Sequence, residues 1–220
     1  MLKTITCESD FEKINVQDVY NKISKHFDQT RYHTWPKIKE FTNKFNKNSM
    51  IGDIGCGNGR NCNLRDDCIY HGYDNCEGFV NLCKEKNITC KKSSILNIDC
   101  SNNVYDYCMC IAVIHHLSTE ERRIKAIQEL IRITKKGGKI LIYVWAKEQK
   151  KFKMYDEKDI MVPWNLQKKY SQNETNLYYR YYHLFEKREL ENLIENCGLN
   201  IVIEENGYQA DNYYAIIKVI

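Results

Sequence analysis

Apolar positions recur with a helical period in the N-terminal part of this chain and form short runs further along. The helical period covers 16–27 and 35–45, and Pro36 stands where the first turn of the second helix accepts proline. Later runs of strand length alternate with segments of helical period. The predicted strands are 50–54, 69–73, 87–92, 105–111, 139–145, 199–205 and 212–219, and the predicted helices after the first strand are 60–66, 76–86, one that ends at 135–138, and 186–197.

This alternation predicts an α/β fold, with a mainly parallel sheet and helices on both of its faces. The residues Ser-Thr-Glu-Glu at 118–121 form a capping box that opens one helix, and Gly137 and Gly138 end it. The last two predicted strands are close enough in sequence to form an antiparallel hairpin. With 220 residues and no internal repeat, we expect one domain, with N-terminal helices at about 10–47 and a polar lid at about 147–185.

Composition excludes several classes of protein. No run of about 18 apolar residues occurs, so we expect no membrane span. The N-terminus lacks the apolar core of a secretory signal, and we expect a cytoplasmic protein that could also be nuclear. The eleven cysteines are scattered, their number is odd, and none forms a C-x-x-C pair. We therefore expect free thiols in a reducing compartment, with neither a metal site nor a redox pair.

Three glycines at alternate positions follow the first predicted strand, in the sequence Asp-Ile-Gly-Cys-Gly-Asn-Gly-Arg at 53–60. Glycine adopts positive φ and lets the backbone approach a ligand closely, which suits a turn between a strand and a helix. Asp53 would repel the pyrophosphate of a dinucleotide. The same carboxylate suits a cofactor with an ammonium and a sulfonium group, as S-adenosylmethionine has. The loop resembles the first motif of the Rossmann-like methyltransferases.

Asp74 ends the second predicted strand, 15 residues after Gly59. In nucleotide-binding α/β folds an acid at this place accepts hydrogen bonds from the ribose hydroxyls. The alternative is that Asp74 only caps the helix that follows. The glycine loop upstream favours ribose binding.

The residues Ala-Val-Ile-His-His-Leu at 112–117 follow the fourth predicted strand, at the edge where open α/β sheets bind ligands. Further blocks are Thr-Arg-Tyr-x-x-Trp-Pro at 30–36, Tyr-Val-Trp-Ala at 143–146, Val-Pro-Trp at 162–164, Arg-Tyr-Tyr-His-Leu-Phe at 180–185 and Asp-Asn-Tyr-Tyr at 211–214. In these blocks, from about residue 16 onward, the chain resembles the tRNA wobble-uridine carboxymethyl methyltransferases. That family includes the methyltransferase domain of the AlkB-homologue tRNA hydroxylase.

The resemblance implies a Rossmann-like, seven-stranded sheet and S-adenosylmethionine as cofactor. The residues it implies for cofactor binding are Tyr20, Asp53, Gly55, Cys56, Gly57, Asn58, Gly59, Asp74, Asn75, Ser94, Ile95, Ile111 and Ala112. Ser94 departs from the family, which usually has an aspartate there to meet the adenine amino group. A hydroxyl accepts that hydrogen bond without the strength of a charged partner, so we expect weaker cofactor binding without loss of activity.

The reaction that the resemblance implies is methyl-ester formation on the carboxylate of 5-carboxymethyluridine at the tRNA wobble position. A free carboxyl titrates near ~4, so this nucleophile is ionised at neutral pH and needs no general base. Catalysis then rests on orientation and on removal of water. The catalytic candidates are Arg31, His115, His116 and Arg180, and the substrate-binding candidates are Tyr32, Trp35, Trp145, Trp164, Tyr181 and His183.

Each of these polar candidates has a structural alternative. We expect one of His115 and His116 to pack beneath the strand while the other faces the cleft. Arg31 could instead form a surface salt bridge, and Arg180 and His183 could lie on a solvated loop.

The segment 147–188 combines ten Lys and Arg with six Asp and Glu, and it carries nine aromatic residues. Cations contact phosphates and aromatic rings stack on splayed bases, so this composition favours a tRNA anticodon loop as partner. A basic lid over a small substrate is the alternative. Two other functions stay open: methylation of a small carboxylate or a lipid, for which an apolar lid is expected, and a catalytically silent RNA-binding relative, for which Ser94 is the only hint.

The resemblance also implies a protein partner. Related enzymes work with a small zinc-binding activator that adds a strand beside the third strand, here at 87–92. Exposed sheet edges invite such pairing, although Lys91 and Lys92 could equally protect the edge.

Overall fold

Seven strands form one sheet in the computed structural model, which describes residues 7–31, 33–170 and 176–220. The strands of the described residues, numbered in chain order, are β1 Met50–Ile54, β2 Ile69–Asp74, β3 Cys90–Lys92, β4 Tyr105–Ile111, β5 Thr134–Trp145, β6 Asp159–Asn165, β7 Leu177–His183, β8 Ile201–Gln209 and β9 Asn212–Val219. The large sheet has the order β3-β2-β1-β4-β5-β9-β8, and β6 pairs with β7 in a separate hairpin.

Strands β1 to β5 are parallel, whereas β9 runs antiparallel to β5 and β8 runs antiparallel to β9. The predicted seven-stranded, mainly parallel sheet with its C-terminal hairpin is therefore confirmed. Strand β1 lies between β2 and β4, so the strand order reverses beside it. Open α/β sheets bind ligands at such a reversal, outside the carboxyl ends of the strands.

Helices cover both faces of the sheet. They are α1 Glu8–Glu12, α2 Asp18–Thr30, α3 Pro36–Asn43, α4 Glu77–Glu85, α5 Glu120–Ile133 and α6 Glu189–Glu195, and a π-helical turn joins α1 to α2. One core contains the apolar sides of α5 and α6 with Ile140 and Ile142 of β5. A second core contains Ile38 of α3 with Ile51 of β1 and Leu141 of β5. Since neighbouring residues of β5 point to opposite faces, one strand serves both cores.

The hairpin β6–β7 lies within the predicted lid and was not predicted as strands. It shares a third core with helix α2, where Tyr20 and Ile23 meet Trp164 and Tyr181. The sequence Tyr-Tyr-Arg-Tyr-Tyr of β7 does not alternate between apolar and polar residues, so it does not predict a strand. Packing on α2 brings Arg180 of β7 and Tyr20 to one place.

Several elements differ from their predicted bounds, among them β5 Thr134–Trp145, α6 Glu189–Glu195 and β8 Ile201–Gln209, and three differences have a clear local cause. The predicted helix at 60–66 is wrong: this segment is a series of turns, and the positive φ of Gly59 and Asn63 is incompatible with a helix. The predicted strand at 87–92 begins only at Cys90, because Asn87 has a φ of +56°. Helix α5 ends at Ile133, before the predicted 135–138, since Thr134 is already extended and starts β5.

No helix of the described residues is both long and apolar enough to cross a membrane.

Candidate active site

A cavity of about 770 Å³ opens at the carboxyl ends of β1, β2 and β4, beneath the β6–β7 hairpin. Its size falls in the range of about 300–1,000 Å³ that holds small ligands and cofactors. Most of the predicted site residues line it. Those on its walls are Tyr20, Arg31, Trp35, Gly55, Cys56, Gly57, Asn58, Asp74, Asn75, Ser94, Ile95, Ile111, Ala112, His115, His116, Trp145 and Arg180.

The glycine loop forms one wall of the cavity. Gly55, Gly57 and Gly59 all have positive φ, between +56° and +74°. A Cβ atom on Gly55 would lie 2.3 Å from a methyl carbon of Val113, whereas a Cβ on Gly57 would meet nothing within 4 Å. The backbone at Gly57 therefore faces open space that a ligand can fill, and the prediction of a cradle at this loop fits the geometry.

Asp74 holds the loop to the following helix. Its two carboxylate oxygens accept hydrogen bonds from the N–H groups of Gly57 and Cys76, each at 2.8 Å. Burial raises the pKa of Asp74 to about 6, against the lowering effect of these two donors. The side chain thus fixes the turn before α4 and also lines the cavity, and its contact with a ribose stays a prediction.

Asp53 lies beneath the loop. It is buried, with 1% of its surface exposed, and the Cys62 thiol donates to one carboxylate oxygen at 3.5 Å. Burial raises the pKa of Asp53 to about 7. Among the described residues the cavity wall does not include Asp53, so its predicted contact with an ammonium group stays a prediction.

Ser94, the departure from the family, lines the cavity as expected. Its hydroxyl accepts a hydrogen bond from the N–H of Leu96 at 3.2 Å, which leaves its own proton available to a ligand. In the turn that follows β4, Ala112 has a φ of +62°, a value that favours glycine. This turn after β4 directs the following histidines toward the cavity.

Arg180 is a buried cation without a counter-charge. Its side chain projects from β7, 3% of the residue is exposed, and no carboxylate of the described residues forms an ion pair with it. Nη1 donates to the hydroxyls of Tyr20 and Tyr182, at 3.3 and 2.9 Å, and Nε has no partner among the described atoms. The guanidinium lies 4.7 Å from the ring centroid of Trp164. A buried charge needs compensation, so this site favours an anionic ligand.

His115 and His116 both line the cavity, contrary to the expected split between core and cleft. Nδ1 of His115 accepts from the N–H of Trp145 at 3.1 Å, so Nε2 carries the proton, and this buried donor has no partner among the described atoms. Nδ1 of His116 donates to the carbonyl of Tyr181 at 2.8 Å, and its Nε2 accepts from the hydroxyl of Tyr20 at 3.1 Å. His116 therefore orients Tyr20, while His115 offers a free donor.

Four further cations border the same space: Arg31, Arg60, Arg122 and Lys151. Arg31 lies over the rings of Phe27 and Trp164, at 5.6 and 5.5 Å, and forms no ion pair among the described residues, so the salt-bridge alternative does not hold. Lys151 was not predicted; it lies 4.1 Å from the centroid of Trp145. Burial, with the charges of Arg180 and Arg31, lowers the pKa of Lys151. In the sequence this lysine is one of many in a basic segment, so nothing distinguished it.

Several predicted residues lie away from the cavity. His183 is buried between Asp159 and Glu189, at 2.9 and 2.7 Å, which corrects its predicted role as a substrate contact and also the solvated-loop alternative. Tyr181 donates its hydroxyl to Asp159 and packs in the third core. Trp164 donates Nε1–H to His26 and backs Arg180 without lining the cavity.

Two more predicted positions stand apart. Gly59 does not line the cavity, and its backbone turns away toward α4, where a Cβ would lie 2.5 Å from Ile88. Tyr32 lies outside the described residues.

The fold and the glycine-loop cavity define a class of protein. The family model described as a methyltransferase domain matches residues 52–142. A S-adenosylmethionine-dependent methyltransferase from Methanosarcina mazei has a similar structure, with a TM-score of 0.65 over 85% of this chain and 98% of that chain, at 16% sequence identity. The fold of this chain is therefore that of the Rossmann-like methyltransferases.

A relative in sequence narrows the class. The chain is 37% identical to the tRNA (carboxymethyluridine(34)-5-O)-methyltransferase of Schizosaccharomyces pombe, over 96% of this chain and 99% of the relative. The chain belongs to this family of tRNA carboxymethyluridine methyltransferases, as the sequence blocks predicted.

A solved complex contains a further similar fold. The complex joins the Haloferax volcanii Trm112 methyltransferase activator and a methyltransferase. The similarity has a TM-score of 0.67 at 12% identity and covers 94% of this chain and 97% of the other.

Proposed function

We propose that this protein transfers a methyl group from S-adenosylmethionine to the carboxylate of 5-carboxymethyluridine at the tRNA wobble position, which gives the methyl ester. The observation that carries the proposal is Arg180, a buried guanidinium on the wall of the cavity that the glycine loop also lines. It has no carboxylate partner in the part of the chain that the structure describes. The relative from Schizosaccharomyces pombe is named as a tRNA (carboxymethyluridine(34)-5-O)-methyltransferase, which agrees with this reaction.

The cavity residues fit the cofactor that the class uses. Open space beside Gly57, the Asp74 carboxylate and the free hydroxyl proton of Ser94 lie along one wall. These groups would hold the methionine part, the ribose and the adenine, in the order of the strands that carry them. When bound, S-adenosylmethionine supplies an electrophilic methyl group.

The cations and His115 would hold the substrate carboxylate. Arg180 is fixed by two tyrosine hydroxyls, and His115 presents an Nε2–H donor without a partner among the described atoms. Donors that are already in place align an anion without reorganisation. Because a carboxylate near pKa ~4 is ionised at neutral pH, the protein needs to orient it and remove its water, and no residue has to accept a proton.

The surface of the lid supports an RNA substrate only in part. Five of its nine aromatic residues, Phe152, Trp164, Tyr181, Tyr182 and Phe185, are buried in cores, so they are unavailable for base stacking. Tyr179 is 48% exposed on the outer side of the hairpin, and Tyr155, Tyr170 and Tyr178 are half-buried. These four rings and the surrounding lysines form the surface that we propose contacts the anticodon loop.

We also propose that an activator protein adds a strand beside β3. This strand lies at the edge of the sheet, as predicted for 87–92. Its lysines are already paired, Lys92 with Glu77 at 2.9 Å and Lys91 with Asp99 at 3.7 Å, so they leave the outer backbone groups open to a partner. Purified chain that is monodisperse and fully active alone would count against this partner.

The decisive experiment measures tRNA nucleosides by mass spectrometry in cells with and without the gene, and after complementation with the wild type or Arg180→Gln. Cells supply any partner, so the test does not depend on the activator. We expect the methyl ester to disappear on deletion, with accumulation of the free carboxymethyl nucleoside. The wild type should restore the ester and Arg180→Gln should not. Unchanged nucleosides after deletion would overturn the tRNA proposal and favour a small carboxylate substrate.

Calorimetry with S-adenosylmethionine separates the enzyme from a silent RNA-binding relative. We expect one binding site in the wild type and near-equal affinity in Arg180→Gln, because the arginine lies on the substrate side. Absence of binding in the wild type would favour the silent relative.

A further inference from the structure

Three thiols from distant parts of the sequence meet beneath the glycine loop. Cys56 belongs to the loop, Cys83 to α4 and Cys90 to the start of β3. Their sulfur atoms all lie within 4.8 Å of one another, and those of Cys56 and Cys90 are 3.5 Å apart. No C-x-x-C spacing marks them, since the parallel β1–β2–β3 arrangement, and not the local sequence, brings them together.

Two glycines keep space for the thiols. A Cβ atom on Gly72 would lie 2.8 Å from Sγ of Cys56, and a Cβ on Gly59 would lie 3.2 Å from Sγ of Cys83. A side chain at Gly72 would displace a thiol. The group therefore occupies a defined space beside two glycines, at the margin of the second core.

The thiols also share one backbone acceptor of the glycine loop. The Cys83 thiol donates to the carbonyl oxygen of Gly57 at 3.3 Å, and the Cys56 thiol lies 3.9 Å from the same oxygen. The sulfur atoms therefore make only weak S–H contacts here, which bonds to a cation can replace.

We propose that Cys56, Cys83 and Cys90 form a binding site for one thiophilic divalent metal ion, Zn²⁺ by its chemistry. Zinc takes thiolate ligands at about 2.3 Å in a tetrahedron, and soft thiolates select it over Mg²⁺ or Ca²⁺. Three metal–sulfur bonds form, the three thiol protons pass to solvent, and a water molecule takes the fourth position.

The position of the site gives it a consequence for the cofactor loop. The ion would tie the glycine loop, α4 and the edge strand β3 together through three bonds. Cys90 is half-buried at the sheet edge, which gives an ion a route from solvent. Metal binding should therefore stabilise the fold, because a ligand that binds only the folded state raises its stability.

The test titrates Co²⁺ into the reduced, chelator-treated full chain. A tetrahedral thiolate site gives sulfur-to-cobalt charge-transfer bands and intense ligand-field bands that saturate at one equivalent and vanish when Zn²⁺ is added. We compare the wild type with Cys83→Ser and Cys90→Ser, and with Cys68→Ser as a half-buried control outside the cluster. Each cluster variant should lose at least about tenfold in Zn²⁺ affinity, a loss that even substitutions around metal ligands cause. The control should match the wild type.

Thermal unfolding keeps the test decisive if Cys83→Ser, at a fully buried position, folds poorly. Zn²⁺ should raise the melting temperature of the wild type and of Cys68→Ser, and leave that of Cys90→Ser unchanged. Either of two results would overturn the proposal: cobalt spectra without charge-transfer bands, or equal Zn²⁺ affinity in the wild type and Cys90→Ser.

Discussion

His115 and His116 are adjacent in the chain and hold opposite tautomers. The amide N–H of Trp145 donates to Nδ1 of His115, which places the ring proton on Nε2. The carbonyl of Tyr181 accepts from Nδ1 of His116, which places that ring proton on Nδ1. Burial lowers the pKa of His116 to about 3 and that of His115 well below its usual value. Both rings are therefore neutral at physiological pH, one as a donor into the cavity and the other as an acceptor.

This neutrality predicts a flat pH dependence of kcat. The substrate carboxylate is already ionised, and neither histidine titrates between pH 6 and 8.5, so kcat measured with tRNA and saturating cofactor should be constant there. A decline is expected only at alkaline pH, where Lys151 loses its charge, because its pKa is lowered. A steep rise between pH 7 and 9 would instead indicate an amine or hydroxyl acceptor.

Substitution of Arg180 tests the carboxylate site. Arg180→Gln keeps a donor that can reach Tyr182 but removes the charge, and hydrogen bonds to charged groups contribute about 1.5–3 kcal/mol. We expect kcat/KM for tRNA to fall about 10- to 100-fold while calorimetric affinity for S-adenosylmethionine stays near wild type. Lys153→Gln, an exposed lid residue, is the matched control for loss of one positive charge. Equal losses of kcat/KM in the two variants would show that Arg180 acts only through the overall positive charge of the lid.

The sheet could be predicted from the sequence because its strands are short apolar runs bounded by glycine and polar turns, and the glycine loop follows β1 directly. The β6–β7 hairpin could not, since β7 is buried on both of its sides from Arg180 to His183 and its sequence shows no alternation of polarity. Arg180 and Arg31 were found through family blocks. The sequence does not single out Lys151, because its position over the ring of Trp145 is a tertiary effect.

Tyr181 and His183 were predicted to contact the substrate but lie away from the cavity, for a related reason. A sequence block shared with a family identifies a segment near the site, but it does not show which of its side chains face the cavity. In β7, neighbouring side chains alternate across the strand, so Arg180 and Tyr182 reach the cavity and Tyr181 and His183 do not. Applying the strand period to this block would have separated the two pairs.

Gly55 provides a test of the close approach at the loop. Gly55→Ala adds a Cβ that would lie 2.3 Å from Val113, at a backbone φ of +72°. Gly137→Ala shares the positive φ, at +80°, but meets nothing within 4 Å, so it isolates the backbone strain of roughly 1–2 kcal/mol. Chemical denaturation should show a clearly larger loss of unfolding free energy for Gly55→Ala. Adding Val113→Ala should restore part of the unfolding free energy that Gly55→Ala loses. If it restores none, the contact with Val113 is not the cause of the loss.

Ser94→Asp should restore the carboxylate that the family usually carries. Ser94 lines the cavity, and charge-assisted hydrogen bonds are roughly twice as strong as neutral ones, so affinity for S-adenosylmethionine should be unchanged or higher by calorimetry. Ser101→Asp is the control for the added charge, because Ser101 is exposed and does not line the cavity. Weaker binding in Ser94→Asp would show that the adenine pocket lies elsewhere.

As pH rises, we expect ionisation of Asp53 to lower protein stability and to raise cofactor affinity. Its folded-state pKa is about 7, whereas an unfolded aspartate titrates near ~3.9. Between these values the folded protein binds the extra proton, so the contribution of Asp53 to stability falls as pH rises from about 4 to about 7 and is constant above that. Asp53→Asn removes this titration. Relative to wild type, the melting temperature of the variant should therefore rise between pH 5 and pH 7.5, while Asp66→Asn, an exposed control in the next connection, should show a constant difference.

The predicted contact between Asp53 and the ammonium group of the cofactor gives the opposite dependence for binding, because an ammonium group favours the ionised carboxylate. Affinity of the wild type for S-adenosylmethionine should increase from pH 6 to pH 8, and that of Asp53→Asn should be lower and independent of pH. If both proteins gain affinity equally with pH, the ammonium does not interact with Asp53, and Asp74, with a pKa of about 6, becomes the group to substitute.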